Sequence, residues 1–230
     1  MGSFRIPLEI IMVEIYDAHE QGEIVKKWLQ ENGSAIVMGL VIAFGGLFGF
    51  KQWQSWQENN RLSAATEFEV MDQLLTTGQL DAAMANFQNL RDDHAGSPYT
   101  SMAALQMARA RIESNQVDLA IGLYEFVVDE GHPKALTVVA RERLARVLLD
   151  QGRADEALQV LDGAADIRGF ESRFAEVRGD IHNSLGQTDL AVAAYQEALD
   201  QLESGVGDRD NLRLKLQALG SPLPDDRNES

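Results

Sequence analysis

The side chains best suited to acid–base or metal chemistry are four histidines, His19, His94, His132 and His182. No two of them stand at ligand spacing, and no His-Glu-x-x-His run occurs. The chain has no cysteine, which removes disulfides, thiolate nucleophiles and most structural zinc sites. No nucleophile elbow, phosphate-binding loop or dinucleotide fingerprint appears, and Gly45-Gly46 lies in an apolar run where it cradles nothing. The acidic pairs Asp92-Asp93 and Asp225-Asp226 read as solvated turns. No catalytic residue, metal or cofactor is therefore expected. What remains is recognition. Arg109, Arg146 and Arg173 carry the planar fork that suits a carboxylate or an acidic partner segment.

Those arginines depend on the elements that carry them. From Glu58 onward the pattern is helical, and a search for internal repeats is decisive. GQLDAAMANF from Gly78, NQVDLAIGLY from Asn115, GRADEALQVL from Gly152 and GQTDLAVAAY from Gly186 align, with spacings of 37, 37 and 34. Each has aspartate at its fourth position (Asp81, Asp118, Asp155, Asp189) and alanine at its sixth (Ala83, Ala120, Ala157, Ala191). A bulky residue fills its tenth (Phe87, Tyr124, Leu161, Tyr195). Seven residues before each start stand Met71, Ala108, Ala145 and Gly179, small in three of the four. The Gly or Asn ends the first helix of a pair in a left-handed turn. The aspartate is expected to cap the second helix, the alanine to let two helices cross, and the bulky residue to fill the space beneath the next pair.

This is the pattern of tetratricopeptide repeats, helix pairs of period near 34 that stack to bury one another's apolar faces. It predicts helices at about 60–77, 80–93, 98–114, 117–130, 134–151, 154–164, 171–185, 188–203 and 209–219. Ser97-Pro98 and His132-Pro133 open new pairs. The last helix, with Leu212, Leu214, Leu216 and Leu219, caps the open end, and the tail SPLPDDRNES is expected to be frayed. In such arrays the first helices line a concave face. Arg109 and Arg146, each six residues before a turn, point into it, and Arg173 joins them from the next helix. The competing reading, and the preferred one, pairs these arginines with Glu113, Glu142 or Glu176. On the groove reading, Arg109→Glu plus Arg146→Glu weakens partner binding and leaves helical content intact.

Ahead of the array lies Ser34 to Phe50, SAIVMGLVIAFGGLFGF, with no charge over seventeen residues. As a helix, extended to Trp53, it approaches the ~30 Å hydrocarbon core of a bilayer. Lys26, Lys27 and Trp28 precede it and Lys51, Trp53 and Trp56 follow, as membrane interfaces favour. The preceding region is long and acidic and no small-x-small site follows, so an uncleaved anchor is expected rather than a signal peptide. Glu23 to Glu31 reads as a short helix, with Asn32-Gly33 a stop before the anchor. Lys26 and Lys27 against Lys51 and Arg61 leave orientation a tie. Ala35, Gly39 and Ala43 form one small-residue stripe, and Gly45 and Gly49 another. Such stripes let helix backbones approach in lipid, which makes these residues candidate helix–helix contacts, a homo-oligomer included; the competing reading, and the preferred one, is that glycine is simply common in membrane helices.

The fold class is thus all-α, a single transmembrane helix followed by a tetratricopeptide-like solenoid. The organisation is a tail at 1–33, a transmembrane helix at 34–53, the repeat domain at 58–220 and a disordered tail at 221–230. Met12 offers an alternative start to Met1. The formal net charge is −16, and from Gln57 onward there are 16 basic against 30 acidic residues. Such a domain is repelled by nucleic-acid phosphates and anionic lipid headgroups, so no nucleic acid is expected as a partner.

MVEIYDAHEQGEIVKKWLQENG, the GGLFG of the anchor, the following KQWQSW and the repeat array together resemble the YfgM-like family of ancillary SecYEG translocon subunits. The resemblance covers nearly all of the chain except residues 1–11, and EIYD…VKKW…NG and GGLFG are its most specific parts. It implies a single-pass protein of the bacterial inner membrane, N-terminus cytoplasmic and repeat domain periplasmic. It implies as partners the SecYEG translocon and a membrane-anchored periplasmic chaperone of the prolyl-isomerase class, and a role linking translocation to chaperoning. Two other functions fit a repeat domain: a holdase-like chaperone that binds unfolded clients directly, and an envelope scaffold organising other membrane complexes.

Overall fold

A computed structural model describes the backbone of residues 9–164, 166–202 and 208–221, with side chains described from residue 22 onward. Its elements are helices: α1 (Glu9–Thr76), α2 (Leu80–Asp93), α3 (Pro98–Glu113), α4 (Val117–Glu130), α5 (Lys134–Asp150), α6 (Ala154–Asp162), α7 (Glu171–Ser184), α8 (Thr188–Asp200) and α9 (Arg209–Ala218). No strand occurs among the described residues. The chain divides into two compact units, residues 1–59 and 60–230. The frayed tail expected at 221–230 lies outside the described residues except for Ser221, as do the first eight residues.

The first unit carries the apolar run. The described part of α1 has an 18-residue window of mean hydropathy 2.0, none of it buried, and is long and apolar enough to cross a membrane. Phe44 and Phe48 are about two-thirds and three-quarters exposed (67% and 73%). In water that exposure is costly; in hydrocarbon it is not. The expected stop at Asn32-Gly33 does not occur. Asn32 Nδ2 instead donates to the Trp28 carbonyl at 3.0 Å, one turn back, so its amide reinforces the helix it was expected to end. No separate break precedes the array either, since α1 runs on to Thr76.

In the second unit each repeat turn closes on a left-handed residue: Gly78, Asn115, Gly152 and Gly186 have φ of 74°, 59°, 73° and 69°. Two hydrogen bonds recur at each. At Gly152, its N–H reaches the Leu149 carbonyl (2.9 Å) and the Arg153 N–H reaches Leu148 (2.8 Å), satisfying carbonyls that would otherwise lack partners. Asn115 makes the same turn without being glycine, because a short polar side chain tolerates this backbone. At the start of α3, Ser97 caps the helix by accepting from Tyr99 N–H, with Pro98 in the first turn.

The repeated aspartates do not cap. The N-caps are Gln79, Gln116, Arg153 and Gln187, none with a side-chain cap hydrogen bond, and Asp81, Asp118, Asp155 and Asp189 sit inside the first turn. The N-cap residue, at ψ near 60°, starts the helix two residues earlier than capping by aspartate would require. The carboxylates there favour the positive helix end, typically by about 0.3–1 kcal/mol.

The small and bulky repeat positions are all buried: Met71, Ala108, Ala145 and Gly179, the four alanines, and Phe87, Tyr124, Leu161 and Tyr195. Consecutive helices pack in order from α2 to α9, and the first helix α5 also meets the first helices on either side of it, α3 and α7. Two apolar cores result. The larger runs from Ala64 and Met71 of α1 to Phe174, Val177 and Ile181 of α7. The smaller joins Ala175 of α7 to Ala191, Tyr195, Ala198 and Leu199 of α8 and Leu212 and Leu216 of α9. Two helices end earlier than the spacing predicts, α6 at Asp162 and α8 at Asp200.

Candidate interaction face on the first helices

The register that puts Arg109 and Arg146 six residues before their turns puts Asp180 at the same place in the last repeat. The first helices thus present both charges along one face, and the structure joins them. Arg146 Nε reaches Glu142 Oε1 at 2.5 Å on its own helix α5. Its terminal nitrogens lie 3.5 Å from Glu176 and 3.7 Å from Asp180 on α7. From α9, Lys215 Nζ bonds Glu176 Oε1 at 2.7 Å and Asp180 at 2.7 and 2.9 Å. Asn211 adds a bond to Glu176 at 3.3 Å, and the Tyr195 hydroxyl donates to Asp180 Oδ1 at 2.8 Å. Two cations and three carboxylates form one chain of contacts across three helices.

The surroundings are half-buried. Arg146 is 39% exposed, against 10% for Glu142 and 19% for Glu176. Burial works against the charge on Arg146, but the hydrogen bond and charge of Glu142 outweigh it, with Glu176 and Asp180 adding to them. The guanidinium is held above its ordinary pKa. Burial, then the hydrogen bond to Asp180, pushes the Tyr195 phenol up, so it remains a neutral donor. The ring lies flat under Lys215 Nζ, 5.5 Å from its centroid, and against Gly179, where an added Cβ would sit 2.5 Å from the ring.

A cavity of about 310 Å³ opens beside this network. Arg146 and Arg173 both line it, with Glu142, Glu171, Glu176 and Asp208. The structure therefore brings two of the three arginines read from the sequence to one site. Arg109 is not among them; it is exposed on α3 and pairs with Glu113 at 2.8 Å. Arg173 is exposed and has no ion pair among the described residues. The preferred sequence reading, pairing with Glu113, Glu142 and Glu176, describes Arg109 and Arg146. The cavity's acids outnumber its bases, so its charge suits a cationic or amide-rich segment better than a carboxylate. Sequence reasoning missed Lys215 and Tyr195 in this network. Lys215 and Glu176 are 39 residues apart, and no local pattern connects them. Asp180 carried a signal, its repeat register.

On α1, Ala35, Gly39, Ala43, Gly45 and Gly49 are exposed, and a Cβ added at any of these glycines would meet nothing within 4 Å. Among the described residues no group of three or more His, Cys, Asp or Glu could hold a metal ion.

The description tetratricopeptide repeat-like domain matches residues 26–221. The chain belongs to this family. The match takes in the apolar stretch and all the repeats of this tetratricopeptide repeat-like protein. It is similar, at 29% identity over 89% of its length and 99% of the relative's, to a protein of Aggregatibacter actinomycetemcomitans named ancillary SecYEG translocon subunit. It is similar at 27% identity to the protein of that name from Escherichia coli K12, covering 80% of this chain and 88% of the relative. The protein of that name from Neisseria gonorrhoeae is 24% identical over 84% of this chain and 93% of its own length. These relatives bear the same description as the YfgM-like family whose resemblance EIYD…VKKW…NG and GGLFG carry.

Proposed function

We propose that this protein is a membrane-anchored accessory of the Sec translocon that acts by binding rather than by catalysis. The observation that carries the reading is the extent of the similarity: one ancillary SecYEG translocon subunit is matched over 99% of its length, anchor and repeats together. A repeat domain alone fits many roles; this anchor joined to this array fits far fewer. In the proposal residues 34–53 cross the inner membrane once, with the N-terminus cytoplasmic and the array of residues 58–220 periplasmic. The exposed small-residue stripes of the anchor, Ala35, Gly39 and Ala43 with Gly45 and Gly49, meet translocon helices or a second copy. The face of α5, α7 and α9 beside Arg146 and Arg173 binds a membrane-anchored periplasmic chaperone of the prolyl-isomerase class, linking translocation to folding.

The experiment is purification of the full-length protein from its native membrane in mild detergent, with identification of what accompanies it. A version whose anchor is replaced by an unrelated transmembrane helix is run alongside. Translocon subunits with a periplasmic isomerase are the expected companions, with the translocon alone lost after the swap. Recovery of neither, or of division proteins instead, refutes the assignment.

A further inference from the structure

A second cavity, of about 610 Å³, lies at the start of α5 and shares no lining residue with the first. Its size is ordinary for a ligand pocket. Its walls are apolar, with Val128 of α4, Val138 of α5 and Phe170 before α7. Its charge runs against the domain's. Lys134, Arg141 and Arg168 line it with a single acid, Asp166, in a domain with almost twice as many acidic as basic residues. Asp166 is already engaged by Arg168, through contacts of 3.0 and 2.6 Å. Arg141 is held differently. The one hydrogen bond of its guanidinium among the described residues goes to the Val160 carbonyl, at 3.1 Å. Neither Arg141 nor Lys134 has a carboxylate partner among the described residues. The α5 helix begins at the cavity with Pro133 as N-cap and no side-chain cap, adding a positive helix end. Gly163 also makes room for the cation: a Cβ there would lie 2.7 Å from Arg141 Nη1.

Cations with hydrogen-bonding capacity to spare, set in an apolar wall, suit a carboxylate that adjoins an apolar side chain. We propose that this cavity takes the free C-terminus of a partner polypeptide ending in an apolar residue. Arg141 and Lys134 hold the carboxylate, and Val128, Val138 and Phe170 receive the last side chain. A chain end is the source because its carboxylate and side chain leave one Cα, so both reach the same cavity. In an extended internal segment neighbouring side chains point to opposite faces, so an acid shares a face only with an apolar residue two positions away, about 7 Å along the chain, whereas at a chain end the two groups leave the same Cα.

The test uses the full-length protein in detergent micelles and a fluorescent peptide, Ser-Gly-Ser-Val-Leu with a free C-terminus, followed by anisotropy. Its C-terminal amide and an amidated peptide carrying aspartate two residues from valine are the comparisons. The free acid is expected to bind at least about tenfold more tightly than either. Lys134→Ala, at an exposed position that leaves the fold alone, and Arg141→Gln are each expected to weaken it about fivefold or more, and added salt to weaken it further. Equal binding of acid and amide overturns the proposal. So do equal binding of the internal-acid peptide, no effect of Lys134→Ala, no binding, and displacement by millimolar phosphate without discrimination among the peptides, which marks an anion site only. None of these outcomes bears on the translocon reading, which concerns other surfaces.

Discussion

Charge reversal at Arg109 and Arg146 is the direct way to probe the face of the first helices, and the structure says the two reversals are not equivalent. Arg109 and Glu113 are 78% and 61% exposed, so their pair contributes little, and Arg109→Glu is expected to cost less than about 0.5 kcal/mol. Arg146 faces three carboxylates whose side chains are only 10–21% exposed. Arg146→Gln keeps much of the stem but removes the cation that joins Glu142, Glu176 and Asp180, while Lys215 still bonds Glu176 and Asp180. Breaking a fully buried pair costs about 3–5 kcal/mol; with Arg146 39% in solvent, about 2 kcal/mol is the fitting figure. Arg146→Glu, which gathers four like charges, costs more. For a unit of this size about 2 kcal/mol lowers the melting temperature by roughly 4–8 °C. Circular dichroism of the full-length protein in detergent reads it. Adding Asp180→Asn to Arg146→Gln should return part of the loss, because the two residues share one network. Arg109→Glu melting as low as Arg146→Gln, or Arg146→Gln melting with the wild type, refutes this account. Partner loss in the double charge reversal therefore reports folding as well as recognition. Arg173→Glu, at an exposed cation without an ion pair among the described residues, is the cleaner probe of the cavity.

Two further outcomes follow from single contacts. Gly179→Ala places a Cβ 2.5 Å from the Tyr195 ring. The overpacking costs about 1–3 kcal/mol against a gain of about 1 kcal/mol from alanine in a helix, so a net loss of up to about 2 kcal/mol is expected, checked by urea unfolding. At Asp166 the hydrogen bond from the Arg168 side chain, with its backbone N–H and charge, holds the carboxyl down to about 2 against an ordinary 3.8. A lowered folded value means that the pair's stabilisation is whole above about pH 4 and is lost as pH falls through 2. An NMR titration should show this midpoint, and Arg168→Gln should return it towards 3.8.

The repeat helices were legible because glycine or asparagine is needed wherever φ turns positive, and four such residues in register mark four turns. The continuity of α1 was not. Asn32-Gly33 is a stop only if the Asn32 side chain turns out of the helix, and here it folds back onto Trp28. The aspartates were legible as helix-start residues but not as first-turn residues, because their exact place depends on ψ at the residues before them. At the face itself, Arg109 with Glu113 and Arg146 with Glu142 are four residues apart and readable as helical neighbours. The remaining links, to Asp180, Lys215 and Tyr195, depend on stacking between repeats.

The two cores meet along α7, whose Phe174, Val177 and Ile181 face one and whose Ala175 belongs to the other. A stacked array loses structure from its ends, and here the end helices α8 and α9 share a small core of their own. Amides there should exchange with solvent sooner than those of α3 to α5. The first cavity straddles the seam, with Arg146 on one side and Leu212 on the other. Opening the end would dismantle the cavity, and a ligand lodged in it would act as a bolt, slowing exchange along the whole of two helices that it touches at their facing ends and at Leu212.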